Sequence, residues 1–156
     1  MHVSAKEDVG ADAATVFAML TDFPAFERAA LRRGAEVARL DRLETRGVGM
    51  SWSGSFAWRG RQRRFVADLT GFDPATALGW TIEGGGFRAA VDLTLIALSP
   101  KRTRILARVE IKPRTIAARI RLQALRLQRQ RLVGRVQKGL RDVALRIERG
   151  HQAGAR

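Results

Sequence analysis

The chain has no cysteine and no tyrosine, and its only two histidines, His2 and His151, stand near its ends. Without cysteine there is no disulfide, no thiolate metal site and no thiol nucleophile. The side chains that most often move protons near neutral pH are therefore missing from the body of the chain. Acidic residues are also few: 15 Asp and Glu stand against 29 Lys and Arg, a formal net charge of +14. No apolar run reaches the roughly 18 residues of a membrane-spanning helix. The opening MHVSAKEDVG lacks the basic-then-apolar order of a secretory leader. The expected compartment is the cytoplasm.

What is present suits one folded domain. The length is 156 residues, with 46% hydrophobic and 28% charged, values that argue for a packed core rather than disorder. Only four of the basic residues are lysines, Lys6, Lys101, Lys112 and Lys138. A GC-rich coding sequence would favour arginine over lysine but would not make acids scarce. An excess of this size attracts phosphates, anionic lipid headgroups or acidic proteins and carries no information about fold.

The hydrophobic period changes in a clear order along the chain. Residues 2–9 alternate weakly, as a short strand does. Asp12 is a good N-cap, followed by Ala13, Val16, Phe17 and Leu20 at helical spacing. Asp22 and Pro24 open a second short helix carrying Phe26, Ala29, Ala30 and Leu31, with Gly34 able to end it. From 35 to 112 the period is two. Val37 to Leu43 reads as a strand. Val48, Met50, Trp52, Phe56 and Trp58 then share one face, opposite Ser51, Ser53 and Ser55. Arg59-Gly60-Arg61 reads as a tight turn. Further strands carry Phe65, Ala67 and Leu69; Leu78, Trp80 and Ile82; Phe87, Ala89, Val91, Leu93 and Leu95; and Ile105, Ala107, Val109 and Ile111. The turns between them are Phe72-Asp73-Pro74, Gly84-Gly85-Gly86 and Ser99-Pro100. Alternating strands joined by short turns give an antiparallel sheet with one apolar face. After Pro113 a single helix is expected from about Thr115 to Arg149, with Gly150 as its stop. Ala118, Leu122, Leu125, Leu132, Val136, Leu140, Val143 and Ile147 would face the sheet. The expected division is one domain over residues 1–150 and a flexible tail over 151–156.

Strand, two short helices, six strands and a long helix is the order of the helix-grip fold. The chain resembles the START and birch-pollen-allergen (SRPBCC) superfamily, most closely its polyketide cyclase/dehydrase-like and lipid-transport branch. Three segments carry the resemblance: AKEDVGADAATVFAMLTDF, GFDPATALGW and GLRDVALRIE. Many relatives have an aromatic or proline-tryptophan cluster in the second helix, where this chain has Phe26-Glu27-Arg28. The resemblance implies an α+β fold. A seven-stranded antiparallel sheet wraps around the long C-terminal helix and leaves an apolar cavity between them. It also implies a binding or carrier protein for a hydrophobic or amphipathic small molecule, lipid or polyketide-like. Fold does not choose among the carriers, sensors, enzymes and partner-binding modules of such a superfamily.

Several residues are candidates for the site. Trp52, Phe56, Trp58, Phe65, Trp80 and Phe87 share the apolar parity of their strands, which suits either core packing or the walls of a cavity. Val91, Leu125, Leu132 and Val136 would face the same space. Arg129 falls on the core side of the expected long helix. A buried guanidinium needs a partner, either a ligand carboxylate or phosphate or Glu7, or a route to the surface. Residues 114–149 hold ten arginines and Lys138 against Asp142 and Glu148. Ile116, Ile120 and Leu127 form a second apolar strip there. Arg131, Arg135 and Lys138 are candidates for meeting an anionic membrane, an acidic protein or RNA, with RNA disfavoured because the aromatics lie on the buried side.

Other chemistry finds little support. The glycines at 84–86 lack the lysine and Ser/Thr of a phosphate loop, and Gly47-Val48-Gly49 is no dinucleotide fingerprint. Ser51, Ser53 and Ser55 have no histidine partner in sequence, and no His/Asp/Glu cluster has metal spacing. Asp92 and Glu110 suit ordinary ion pairing on the outer face of the sheet. No cofactor and no metal are expected. A cyclase- or dehydratase-like enzyme would have to draw on Glu7, Arg129, Arg39 or Asp41 as acid or base, so the residues favour binding over catalysis. The expected assembly is a monomer or a weak homodimer.

Overall fold

In a computed structural model, residues 1–58 and 60–154 are described, Trp58 by its backbone alone; Arg59 of the expected turn lies outside them. The order is β1 (His2–Val9), α1 (Ala13–Leu20), α2 (Phe23–Arg32), β2 (Glu36–Arg39), β3 (Ser51–Trp58), β4 (Arg61–Asp73), β5 (Ala77–Gly84), β6 (Phe87–Ser99), β7 (Arg102–Pro113), α3 (Ile116–Leu127) and α4 (Arg129–Gly154). The seven strands form one antiparallel sheet in the order β1-β7-β6-β5-β4-β3-β2. This is the helix-grip arrangement.

Local chemistry explains the start of the chain. The Asp12 side chain accepts from the Thr15 N–H and hydroxyl and caps α1, and Asp22 caps α2 through the Ala25 N–H. β2 is shorter than the Val37–Leu43 pattern suggests. Asp41 accepts from Arg39 and from the Leu43 and Ser51 N–H groups, which turns the chain out of the sheet directly after Arg39. Leu31, expected on an apolar face, is exposed.

The C-terminal segment departs from expectation in two ways. It is not one helix. Gln128 breaks it with a ψ of 24°, its N–H closing on Leu125 and its carbonyl accepting from Arg131 and Leu132. The break divides two packing jobs. α3 buries Ala118 and Leu122 near the β5–β6 turn, where a Cβ on Gly86 would meet Ala118 at 3.1 Å. α4 instead runs along β1 and over the sheet. Gly150 also does not end the helix, because α4 continues to Gly154. A Cβ at Gly150 would run into the Met19 methyl, so glycine there serves the crossing of α1 and α4.

Side chains of α4 are tied to the edge strand β1. Arg129 donates to the His2 carbonyl at 3.1 Å and Gln137 to the Lys6 carbonyl and the Glu7 carboxylate, both at 2.8 Å. Glu148 accepts from the Gly10 N–H at 2.9 Å. These bonds engage main-chain groups on an edge that would otherwise be open to another strand. The main core joins Val9, Val16, Phe17, Leu20, Phe23, Trp52, Leu69, Leu78, Ile105, Leu140, Ala144 and Ile147. No helix among the described residues is long and apolar enough to cross a membrane.

Candidate ligand-binding cavity

The sheet and α4 do not meet everywhere. Between them lies a cavity of about 530 Å³. Its floor is the row Leu69, Trp80, Val91 and Val109, directly opposed across β4, β5, β6 and β7; of these Trp80, Val91 and Val109 line the space. Trp52 pairs with Ala67 beside them. The roof is Val136, Gly139, Leu140 and Val143 of α4, four positions on one helical face. The third wall is α2, which contributes Phe23, Phe26, Glu27 and Ala30 at one-turn spacings.

Small residues create the space. Ala30, Ala67, Ala107 and Gly139 line the cavity where larger side chains would fill it. A Cβ built on Gly139 meets nothing within 4 Å. Large aromatics shape the rest. Phe23, Trp52 and Trp80 form a triad with ring centroids 5.1, 5.3 and 5.6 Å apart, tilted or edge-on, the geometry aromatic quadrupoles favour. Phe65 reaches the cavity because Gly54 opposite has no side chain: a Cβ there would collide with the Phe65 ring.

Among the described residues, one polar side chain breaks the apolar lining. Glu27 is half-buried, and its Oε1 accepts from Trp52 Nε1 at 2.9 Å. Behind the indole, the Arg39 guanidinium lies 5.5 Å from the ring centroid. Arg39 is in turn held by Asp41. That guanidinium and the Ser51 and Leu43 N–H groups hold the Asp41 carboxyl well below the usual carboxylate range. The Asp41 bond likewise raises Arg39, which stays charged. Arg39 and Asp41, each a candidate acid or base from the sequence, form an ion pair with one another and are not among the lining residues.

Among the residues singled out from sequence, Trp52, Phe65, Trp80, Val91 and Val136 line this cavity. Phe56 and Phe87 do not. They line a separate cleft beside the β5–β6 turn, with Arg63, Arg64 and Arg121. The Trp58 side chain lies outside the described residues. Leu125, Arg129 and Leu132 are also not among the lining residues. The break at Gln128 removes Leu125 from the α4 face, and Arg129, at the first turn of α4, is exposed on β1 instead of pointing inward. The expected Arg129–Glu7 pair is absent: Glu7 meets Gln137 and Arg141. Arg131, Arg135 and Lys138 are exposed on α4. Glu110 makes an ordinary ion pair with Lys112 and lies 3.9 Å from His2.

The α2 wall was missed from sequence, although Phe23, Phe26, Glu27 and Ala30 carry the i, i+3, i+4, i+7 signal of one helical face. What concealed it was Glu27, a charged residue on a face that otherwise reads as core.

No protein-family profile and no curated protein matches the chain in sequence. Solved structures match in shape. Zhui aromatase/cyclase from Streptomyces sp. R1128 is 17% identical, with 96% of this chain and 94% of that chain covered and a TM-score of 0.69. A Thalictrum norcoclaurine synthase point mutant, in complex with a transition-state analogue, is 12% identical, with 97% and 96% covered and a TM-score of 0.69. A START superfamily protein from Mycobacterium smegmatis is 16% identical, with 86% and 96% covered and a TM-score of 0.58. The chain shares the helix-grip fold of these structures. At these identities the likeness concerns architecture, and the activities of these proteins are their own.

Proposed function

We propose that the chain binds a hydrophobic or amphipathic small molecule in the cavity between the sheet and α4. The observation that carries this reading is the cavity itself: about 530 Å³, within the usual range for small-molecule sites. Its walls are apolar and aromatic apart from Glu27. Water gains little in such a space, because it finds few hydrogen-bond partners there. A flat or greasy molecule gains the burial of its whole surface and stacking on Trp52 and Trp80. Glu27 adds direction: a ligand hydroxyl or amine placed beside it would be oriented by one hydrogen bond, and the apolar remainder would lie between Val91 of the floor and Val136 of the roof.

Titration with the neutral probe N-phenylnaphthylamine tests the reading. Saturable fluorescence enhancement with quenching of tryptophan emission is expected. Ala67→Trp, which fills the centre, should abolish it, and Gly139→Leu, which adds a side chain at the roof, should weaken it. Probe fluorescence unchanged in both variants would place binding elsewhere and overturn the proposal.

A second reading is favoured by one observation. Glu27 is the sole titratable side chain among the described residues lining the cavity, so an acid–base step on a polyketide-like or aromatic substrate would run through it. Glu27→Gln separates the two: a carrier keeps its ligand, whereas an enzyme keeps its ligand and loses turnover.

A further inference from the structure

We propose that α3 lays its outer face on an anionic lipid surface. Ile116, Ile120 and Leu127 are 80%, 66% and 90% exposed, while Ala118 and Leu122 of the same helix are buried. At about 100° per residue the three exposed side chains form one narrow stripe, and the buried pair points to the opposite side. A folded chain that leaves three large aliphatic residues in water on one helix face has a surface to be covered.

Charge identifies the occupant. Between Pro113 and Asp142 there is no acidic residue. Arg119 and Arg126 lie together on one flank of the stripe, both exposed, and neither engages a carboxylate among the described residues. Arg121, on the other flank, is tied inward to the Gly85 carbonyl at 3.1 Å and lies over the Phe87 ring. An aliphatic stripe with arginines beside it is the pattern of a helix lying in a membrane interface: the aliphatic side chains enter the acyl boundary and the guanidiniums reach lipid phosphates. A nucleic acid fits less well. Its backbone gains nothing from covering aliphatic side chains, and the stripe has no aromatic on which a base could stack. The same stripe separates this face from Arg131, Arg135 and Lys138, which carry charge on α4 without the three exposed aliphatic residues. The inference does not depend on the cavity being occupied, since the stripe points away from the body of the protein.

Co-sedimentation of the full chain with vesicles tests it, using phosphatidylcholine alone and an equimolar mixture with phosphatidylglycerol. The chain should pellet with the mixed vesicles and remain in solution with the neutral ones. The charge-preserving double variant Ile120→Ser/Leu127→Ser should lose this partition, and Arg119→Gln/Arg126→Gln should weaken it by roughly tenfold or more. Leu31→Ser, at an exposed leucine on α2, should leave it unchanged. All these side chains are exposed, and an unchanged melting temperature in each variant verifies that the fold is intact. Equal partition onto neutral vesicles, no partition onto either, or full partition by the double serine variant would each overturn the proposal. So would binding of an RNA oligonucleotide in the absence of any vesicle partition.

Discussion

Trp52 donates its indole N–H to Glu27 across the gap between β3 and α2. The bond links the one carboxylate among the described lining residues to Trp52, and it fixes the plane on which a ligand would stack. Phe23, on the same helix as Glu27, packs on that indole 5.1 Å away. The α2 wall and the sheet wall are therefore one unit.

Removing this bond should be felt in both stability and binding. Glu27→Ala leaves the Trp52 N–H without its partner in a partly buried site, at a cost of about 1–3 kcal/mol. Glu27→Gln keeps an acceptor and should cost less. Urea unfolding of the two variants checks the order, which should be wild type, then glutamine, then alanine.

Gly139→Leu should separate binding from stability. The position is within a helix and a Cβ there meets nothing within 4 Å, so leucine should raise stability by about 0.5–1 kcal/mol through helix propensity alone. The same side chain intrudes on the roof of the cavity and should weaken uptake of an apolar probe. A variant more stable in urea and weaker in probe binding is the expected combination.

Acid should loosen the turn that follows β2. The Asp41 carboxyl is held far below its ordinary value by Arg39 and by the Ser51 and Leu43 N–H groups, and Asp8 is lowered by Arg104 and Arg102. A group whose folded pKa is depressed stabilises the protein above its unfolded pKa, and that contribution is lost as pH falls. The loss belongs below about pH 4, where a free aspartate begins to protonate. Melting temperature followed from neutral pH to pH 2 should fall more steeply in wild type than in Asp41→Asn or Asp8→Asn. Each variant should start from a lower value at neutral pH.

Gly150→Leu should destabilise, against the propensity trend of Gly139→Leu. The added side chain meets the Met19 methyl where α4 crosses α1, and overpacking of this kind costs about 1–3 kcal/mol. Thermal denaturation of the two leucine variants side by side should therefore move in opposite directions.

The fold was legible because its signals are local and periodic. Asp12 and Asp22 cap the short helices, the strands from Arg61 to Pro113 alternate, and the turns at 74–76, 85–86 and 100–101 carry proline or glycine. The kink at Gln128 was not legible. No glycine or proline marks it, and the cause is tertiary: α3 and α4 each bury a face against a different part of the sheet. Arg129 shares α4 and its face with Val136, but it stands at the first turn, where it bonds the His2 carbonyl of β1; a helical wheel records the face of a residue and not its distance along the axis. The cavity was only half legible. Parity gave Trp52, Phe65 and Trp80, but Phe56 and Phe87 on the same parity fall beyond the cavity's end, and parity does not record distance along a strand. The Glu27 position could not be inferred from strand patterns at all, since it depends on where α2 docks.

Whether the cavity holds an apolar molecule is decided by native mass spectrometry of the protein as purified from cells. A discrete added mass of a few hundred daltons, present under gentle ionisation, lost on denaturation and diminished in Ala67→Trp, is the predicted result. A bare protein mass, together with no uptake of N-phenylnaphthylamine by the wild type, would contradict the account.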